Sequence, residues 1–114
     1  MARQVSVRGS RSGRPIMALL DLLGRRWSLR ILWELRDAPA SFRALQDRCE
    51  GPSPSVLNTR LRELRDVGLV ELVGGEGYRA TARAVELGEL LLPLDRWSKD
   101  WARDLARRRP TPGR

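Results

Sequence analysis

Few residues in this chain can do covalent or metal chemistry, and the shortage is informative. Histidine is absent and cysteine occurs once, at Cys49, which removes the common zinc sites and histidine-based catalysis. The run Gly74-Gly75-Glu76-Gly77 reads as a turn, because no helix follows it as a phosphate-cradling loop requires. No carboxylate pair stands in an apolar setting, so an enzyme is the least expected class and neither cofactor nor metal is expected. What remains is a chemistry of recognition. With Leu57 at the centre of a helix face, Leu61 and Leu64 fall within about 40° of it, and Ser55, Asn58, Thr59, Arg62 and Asp66 take the opposite side. Arginine pairs bidentately with guanine, asparagine with adenine, and hydroxyls serve several base edges. Poor helix formers also stand here where a merely solvated face would carry Glu and Lys.

Ser53, Ser55, Asn58, Thr59 and Arg62 are therefore the core of a candidate DNA-reading surface. Arg65, on the flank of the same helix, Arg43 on the preceding helix and Arg79 in a following hairpin complete it. For Arg65 and Glu63 plain solvation is the simpler account. Arg60 lies about 60° from the stripe centre and reads as a packing or salt-bridge residue at the helix edge.

The elements that must position this surface follow from local signals. Pro15 opens a first helix with Ile16, Leu19, Leu20 and Leu23 at helical spacing, and Gly24 stops it. A second helix starts near Ser28, with Leu29, Ile31, Leu32 and Leu35 as its buried side and Trp27 and Trp33 as large fillers. Asp37-Ala38-Pro39-Ala40 ends it. Ser41 caps a short third helix carrying Phe42, Leu45 and Cys49. Ser53-Pro54 is the strongest helix start in the chain, opening a helix over about 54–67 that Gly68 ends in a left-handed conformation. Leu69 to Val73 and Tyr78 to Ala80 read as a hairpin, and Thr81 caps a last helix from 82 to about 108. Within that helix Pro93 should bend or restart the backbone. The expected class is mainly α with a small β-hairpin: a winged helix-turn-helix domain over 15–108, with flanking dimerisation helices.

Charge contributes less than its total suggests. The chain of 114 residues has 22 basic and 14 acidic side chains, a formal +8. Four of the arginines lie in residues 1–15 and four in 105–114, both stretches free of acids, so the body between them is neutral. Residues 1–14 read as a disordered basic arm and 109–114 as a basic tail. One thiol favours no oxidising compartment, and no apolar run reaches membrane-spanning length, so a cytoplasmic protein without a membrane partner is expected.

Taken together, Asp21-Leu22-Leu23-Gly24-Arg25-Arg26-Trp27-Ser28, Ile31-Leu32-Trp33-Glu34-Leu35, Phe42-Arg43-Ala44-Leu45, Ser53 to Leu64, Gly68-Leu69-Val70, Tyr78-Arg79-Ala80-Thr81 and Leu91-Leu92-Pro93 resemble the HxlR-type winged-helix transcription regulators of bacteria. The resemblance implies a homodimeric DNA-binding regulator with one recognition helix per major groove and a wing near the backbone. It also implies a pseudo-palindromic double-stranded operator, occupied within the nucleoid. Three departures stand out. Several members sense electrophiles or oxidants through a Cys-Pro pair before the first helix, whereas Arg14 precedes Pro15 here; Cys49 reads instead as a small core filler. The hairpin tip carries Glu76 and no base, which leaves Arg79 as the wing's cation. The basic tails extend past the family's usual core.

The last helix carries Leu87, Leu90, Leu94, Trp97, Trp101 and Leu105 at heptad-like steps. Part of this seam packs on its own domain, but it holds more apolar surface than one small protomer buries. Ile16, Leu19, Leu20 and Leu23, with Leu90, Leu94, Trp97, Trp101 and Leu105, are therefore the expected dimer interface. Repression is the expected direction, since the chain shows no spare surface domain to recruit polymerase. Two alternatives stay open: a non-specific nucleic-acid-binding protein acting through its arginine-rich tails, and a winged-helix adaptor whose Trp-rich helix binds another protein.

Overall fold

Local chemistry sets the element ends. In the computed structural model, which describes residues 13–75 and 77–108, Pro15 occupies the first turn of α1 (Pro15–Leu23). Then come α2 (Ser28–Glu34), α3 (Phe42–Cys49) and α4 (Pro54–Asp66). Ser41 Oγ accepts from the Ala44 amide at 3.0 Å and Ser53 Oγ from the Val56 amide at 3.3 Å, each meeting one of the orphan donors of a helix start. At the far end of α4, Gly68 has φ +79°. Its amide donates to the Arg65 carbonyl and the Leu69 amide to the Leu64 carbonyl, the bond pair of a Schellman stop, with Leu64 and Leu69 both buried. The basic arm and tail lie outside the described residues, apart from Gly13 and Arg14.

Strands β1 (Val70–Val73) and β2 (Gly77–Ala80) pair antiparallel, Val70 facing Ala80 and Val73 facing Gly77. The sequence reading missed a third participant. Ala40 bridges Tyr78, its amide donating to the Tyr78 carbonyl at 2.9 Å and its carbonyl accepting from the Tyr78 amide at 2.8 Å. The hairpin is thus tied to the segment between α2 and α3. Gly77 makes this closeness feasible: at φ +97° a Cβ would stand 2.4 Å from the Ala40 carbonyl oxygen. Gly77→Ala is expected to cost about 3 kcal/mol, strain and clash combined, read as a fall in the denaturant midpoint. Val73→Ala on the same hairpin should cost less than half of that.

Thr81 joins the hairpin to α5 (Ala82–Arg108): its Oγ1 accepts from the Ala84 amide and donates to the Gly68 carbonyl at 2.6 Å. The core gathers Leu22, Ile31, Leu35, Ala40, Leu45, Cys49, Leu57, Leu61, Leu64, Leu69, Val70 and Ala84, so all four N-terminal helices and the start of α5 share one apolar centre.

Four expectations need correction. Trp33 is not a core filler; it is 52% exposed, with the Arg36 guanidinium 3.6 Å above its ring. Leu29 is likewise exposed. Both lie about 160° around α2 from buried Ile31, so they fall on its outer side. Leu23, expected on the dimer face, is 9% exposed and buried in its own chain, at the last residue of α1 where the backbone turns into α2. Of the two outcomes expected at Pro93, a bend or a restart, the restart does not occur, because α5 runs unbroken through it.

Candidate nucleic-acid interface

The candidate interface is built on α4, and the inner face of that helix explains its outer one. Leu57, Leu61 and Leu64 are each at most 1% exposed, so the stripe is locked inward. Ser55, Asn58, Thr59, Arg62, Arg65 and Asp66 are all exposed. The structure therefore brings the predicted α4 residues onto one accessible side. Their hydrogen bonding distinguishes them. Ser53 Oγ serves as the N-cap and lies 3.3 Å from Ser55 Oγ. Thr59 directs its hydroxyl proton to the Ser55 carbonyl at 2.9 Å, which leaves its oxygen lone pair and methyl group facing outward. That combination suits a base-edge donor or a thymine methyl.

Among the described residues, Arg43, Arg62 and Arg65 have no acidic partner within ion-pair distance, and neither does Asn58 have a side-chain hydrogen bond. Most other arginines are engaged. Arg25 and Arg60 hold Glu63, Arg30 holds Glu34, Arg83 holds Glu86, and Arg103 and Arg107 hold Asp100 and Asp104 along α5. Cations without a local partner on α4 keep their full attraction for phosphate and base acceptors. Arg60 behaves as its position on the helix edge suggests: Nη1 meets Glu63 Oε1 at 3.1 Å and Nε donates to the Arg26 carbonyl at 2.8 Å.

The wing is different. Arg79 donates from both Nε and Nη2 to Glu71 Oε2, at 3.0 and 2.7 Å. Its charge is met within the hairpin, so it is not a free cation beside α4. Cys49 is 2% exposed, and burial pushes its thiol up against the opposing pull of the nearby Arg30 guanidinium. A buried, protonated thiol is a poor nucleophile. In the native protein Cys49 is expected to resist iodoacetamide at neutral pH and to react only after denaturant is added, with mass spectrometry as the readout. Rapid alkylation of the folded chain would contradict its placement. No group of side chains able to hold a metal ion occurs among the described residues. No helix is long and apolar enough to cross a membrane.

An exposed helix closed by caps at both ends and followed by a short hairpin is the arrangement this chain shares with known regulators. The HxlR-like helix-turn-helix family matches residues 22–106. This chain belongs to the HxlR-like helix-turn-helix family. It is 31% identical over 93 residues to an HTH-type transcriptional regulator of Synechocystis sp., covering 76% of this chain and 69% of that one. Its fold matches quinone-bound YodB of B. subtilis with a TM-score of 0.71 and 27% identity, over 76% of this chain and 98% of the other. It also matches a possible HxlR family transcriptional factor of Thermoplasma volcanium with a TM-score of 0.67 and 26% identity, over 79% and 86% of the two chains. Membership makes this HxlR-like chain a transcriptional regulator of helix-turn-helix type, with DNA binding as its family activity, and not an enzyme.

Sequence reasoning did not find how α4 is held from behind. Arg25 and Glu63 are 38 positions apart and meet at 2.9 Å, and no periodicity in the sequence marks that pair.

Proposed function

We propose that this chain is a homodimeric, sequence-specific repressor that reads the major groove with α4. Ser55, Asn58, Thr59 and Arg62 reach base edges, while Ser53, Arg43 and Arg65 lie where phosphates pass. Arg79 comes to the backbone already paired with Glu71, which weakens its pull on phosphate. The observation that carries the reading is the outward face of α4, where unpaired Arg62 and Asn58 stand beside a threonine whose proton is already spent. A merely solvated helix has no need of that combination.

The dimer rests on α5. Leu90 is 73% exposed, Trp97 60% and Trp101 51%, with Leu94 and Leu105 also open. The two indoles stack at 5.9 Å. These five side chains expose on the order of 600 Å² of apolar surface, the upper end of what a soluble monomer tolerates and most of what one partner of a stable interface buries. Ile16 and Leu20 on α1 add to it, and Leu19 is half-buried. Two copies related by a two-fold axis present two α4 helices to half-sites one helical turn apart, or a multiple of it. A dimer seated on one face of promoter DNA blocks other proteins from that stretch, which supports repression in the cytoplasm, at the nucleoid.

Competition binding tests the reading. A duplex enriched by this protein from a random pool should bind at least about a thousandfold more tightly than random DNA at physiological salt. That preference should survive removal of residues 1–12 and 109–114. A preference below about tenfold, or one abolished by trimming the tails, would favour non-specific binding through the arginines.

A further inference from the structure

The turn between α1 and α2 touches the DNA-reading unit at two levels. Arg25 spans α1 and α4: Nη2 meets Asp21 Oδ2 at 3.1 Å and Nη1 meets Glu63 Oε2 at 2.9 Å. The other oxygen of Glu63 takes Arg60 Nη1 at 3.1 Å, and Arg60 Nε returns to the turn at the Arg26 carbonyl, 2.8 Å away. Trp27 adopts the left-handed φ of +79°. Its indole lies over Gly51, in the turn leading to α4, so closely that a Cβ there would stand 2.4 Å from the ring. Residues 25–27 therefore hold both the entry to α4 and its middle.

These contacts add a directional constraint to the apolar packing that holds α4. Leu57, Leu61 and Leu64 are buried along a stripe only about 60° wide, so their packing fixes the depth of α4 and its inward face, while the flank of the helix is held by polar contacts. Charge-assisted hydrogen bonds at fixed angles change steeply with axial rotation. A rotation of α4 by about 20° carries its outer side-chain atoms about 2 Å, enough to lose a bidentate base contact. The Arg25, Arg60 and Glu63 side chains are only about a quarter exposed, so salt screens this relay less than it would a surface pair.

We infer that the Gly24–Trp27 turn sets the rotation of α4 through the Arg25–Glu63–Arg60 relay, which makes Arg25 and Glu63 positioning residues for base reading although neither lies on its outward face. The inference rests on the DNA-reading role of α4 proposed above. Through Asp21 the relay also begins on α1, the helix that carries Ile16 and Leu20.

Arg25→Gln, Glu63→Gln and the double variant test it with two readouts. The first is binding to a duplex of about 30 base pairs enriched by the unaltered protein, against random DNA, across salt concentrations. Each single variant should lose about tenfold in preference with no change in salt slope, and the double should be little worse than either single, as expected of coupled groups. The second is amide hydrogen exchange without DNA, where residues 60–66 should exchange about fivefold faster in each single variant. Unchanged preference in both singles would overturn the inference. So would an equal loss on both DNAs with a salt slope smaller by about one per protomer, the mark of a phosphate contact. If the unaltered protein enriches no duplex, the DNA reading itself fails. Exchange alone then decides the positioning, and unchanged exchange overturns it.

Discussion

Replacing Trp97 and Trp101 together with glutamate is expected to yield a folded monomer that binds its operator at least about a hundredfold more weakly. Both indoles are more than half exposed and belong to the part of α5 beyond its packed first turns, so the domain core loses nothing when they change. Each contributes a large, rigid apolar surface, the kind of side chain that dominates interface energetics. Glutamates at both sites would place four like charges across a two-fold axis. The operator loss follows from linkage rather than from any lost DNA contact. Two recognition helices held in one dimer engage the second half-site at a high effective concentration, whereas separate monomers must each bind independently. Sedimentation equilibrium at micromolar protein reads the first effect and a titration with operator duplex the second. A variant that remains dimeric would move the interface away from α5. A monomer with undiminished operator affinity would separate dimerisation from DNA reading.

Arg62→Ala is expected to cost about 1–3 kcal/mol in operator affinity and to relax preference at one base position of each half-site. Arg62 is exposed on α4 and, among the described residues, has no acidic partner, so truncation removes no internal ion pair and leaves no buried charge behind. Thermal stability should stay within about 0.5 kcal/mol. Arg65→Ala is the informative contrast. If Arg65 meets phosphate, binding should weaken evenly on every sequence and the salt slope should fall by about one per protomer. Fluorescence anisotropy on a panel of single-base operator variants separates the two patterns. An even loss for Arg62→Ala would demote it to a phosphate contact and leave Asn58 and Thr59 as the base readers. No loss at all would return the adaptor reading to consideration.

Much of the fold was legible because its signals are local. Ser41 and Ser53 are caps with proline or a helical run beside them, Gly68 ends α4 in the left-handed conformation, and Thr81 starts α5. The outward face of α4 followed from three leucines and 100° steps. What escaped was tertiary. Ala40 joins the hairpin through a single bridge to Tyr78, and one residue has no period to detect. The relay from Arg25 to Glu63 joins distant positions through charges that the sequence alone shows as ordinary surface groups. Trp33 was misplaced for a simpler reason: tryptophan's apolar size suggested burial, while its angle on α2 opposes Ile31. Leu23 was misplaced for the opposite reason, since its helical angle agrees with Ile16 and Leu20 but the turn into α2 covers it. Arg79 has the right charge for a wing contact, and only its distance to Glu71 shows that the charge is already met.

The most direct test of the central claim is a chemical footprint of the full chain on the DNA upstream of its own coding region. A dimer reading two half-sites with α4 predicts two protected major-groove segments on one face of the duplex. They should be related by two-fold symmetry, with centres about 10 base pairs apart or a multiple of that, and they should persist at physiological salt. Continuous protection without symmetry, fading as salt rises and reproduced on unrelated DNA, would contradict it.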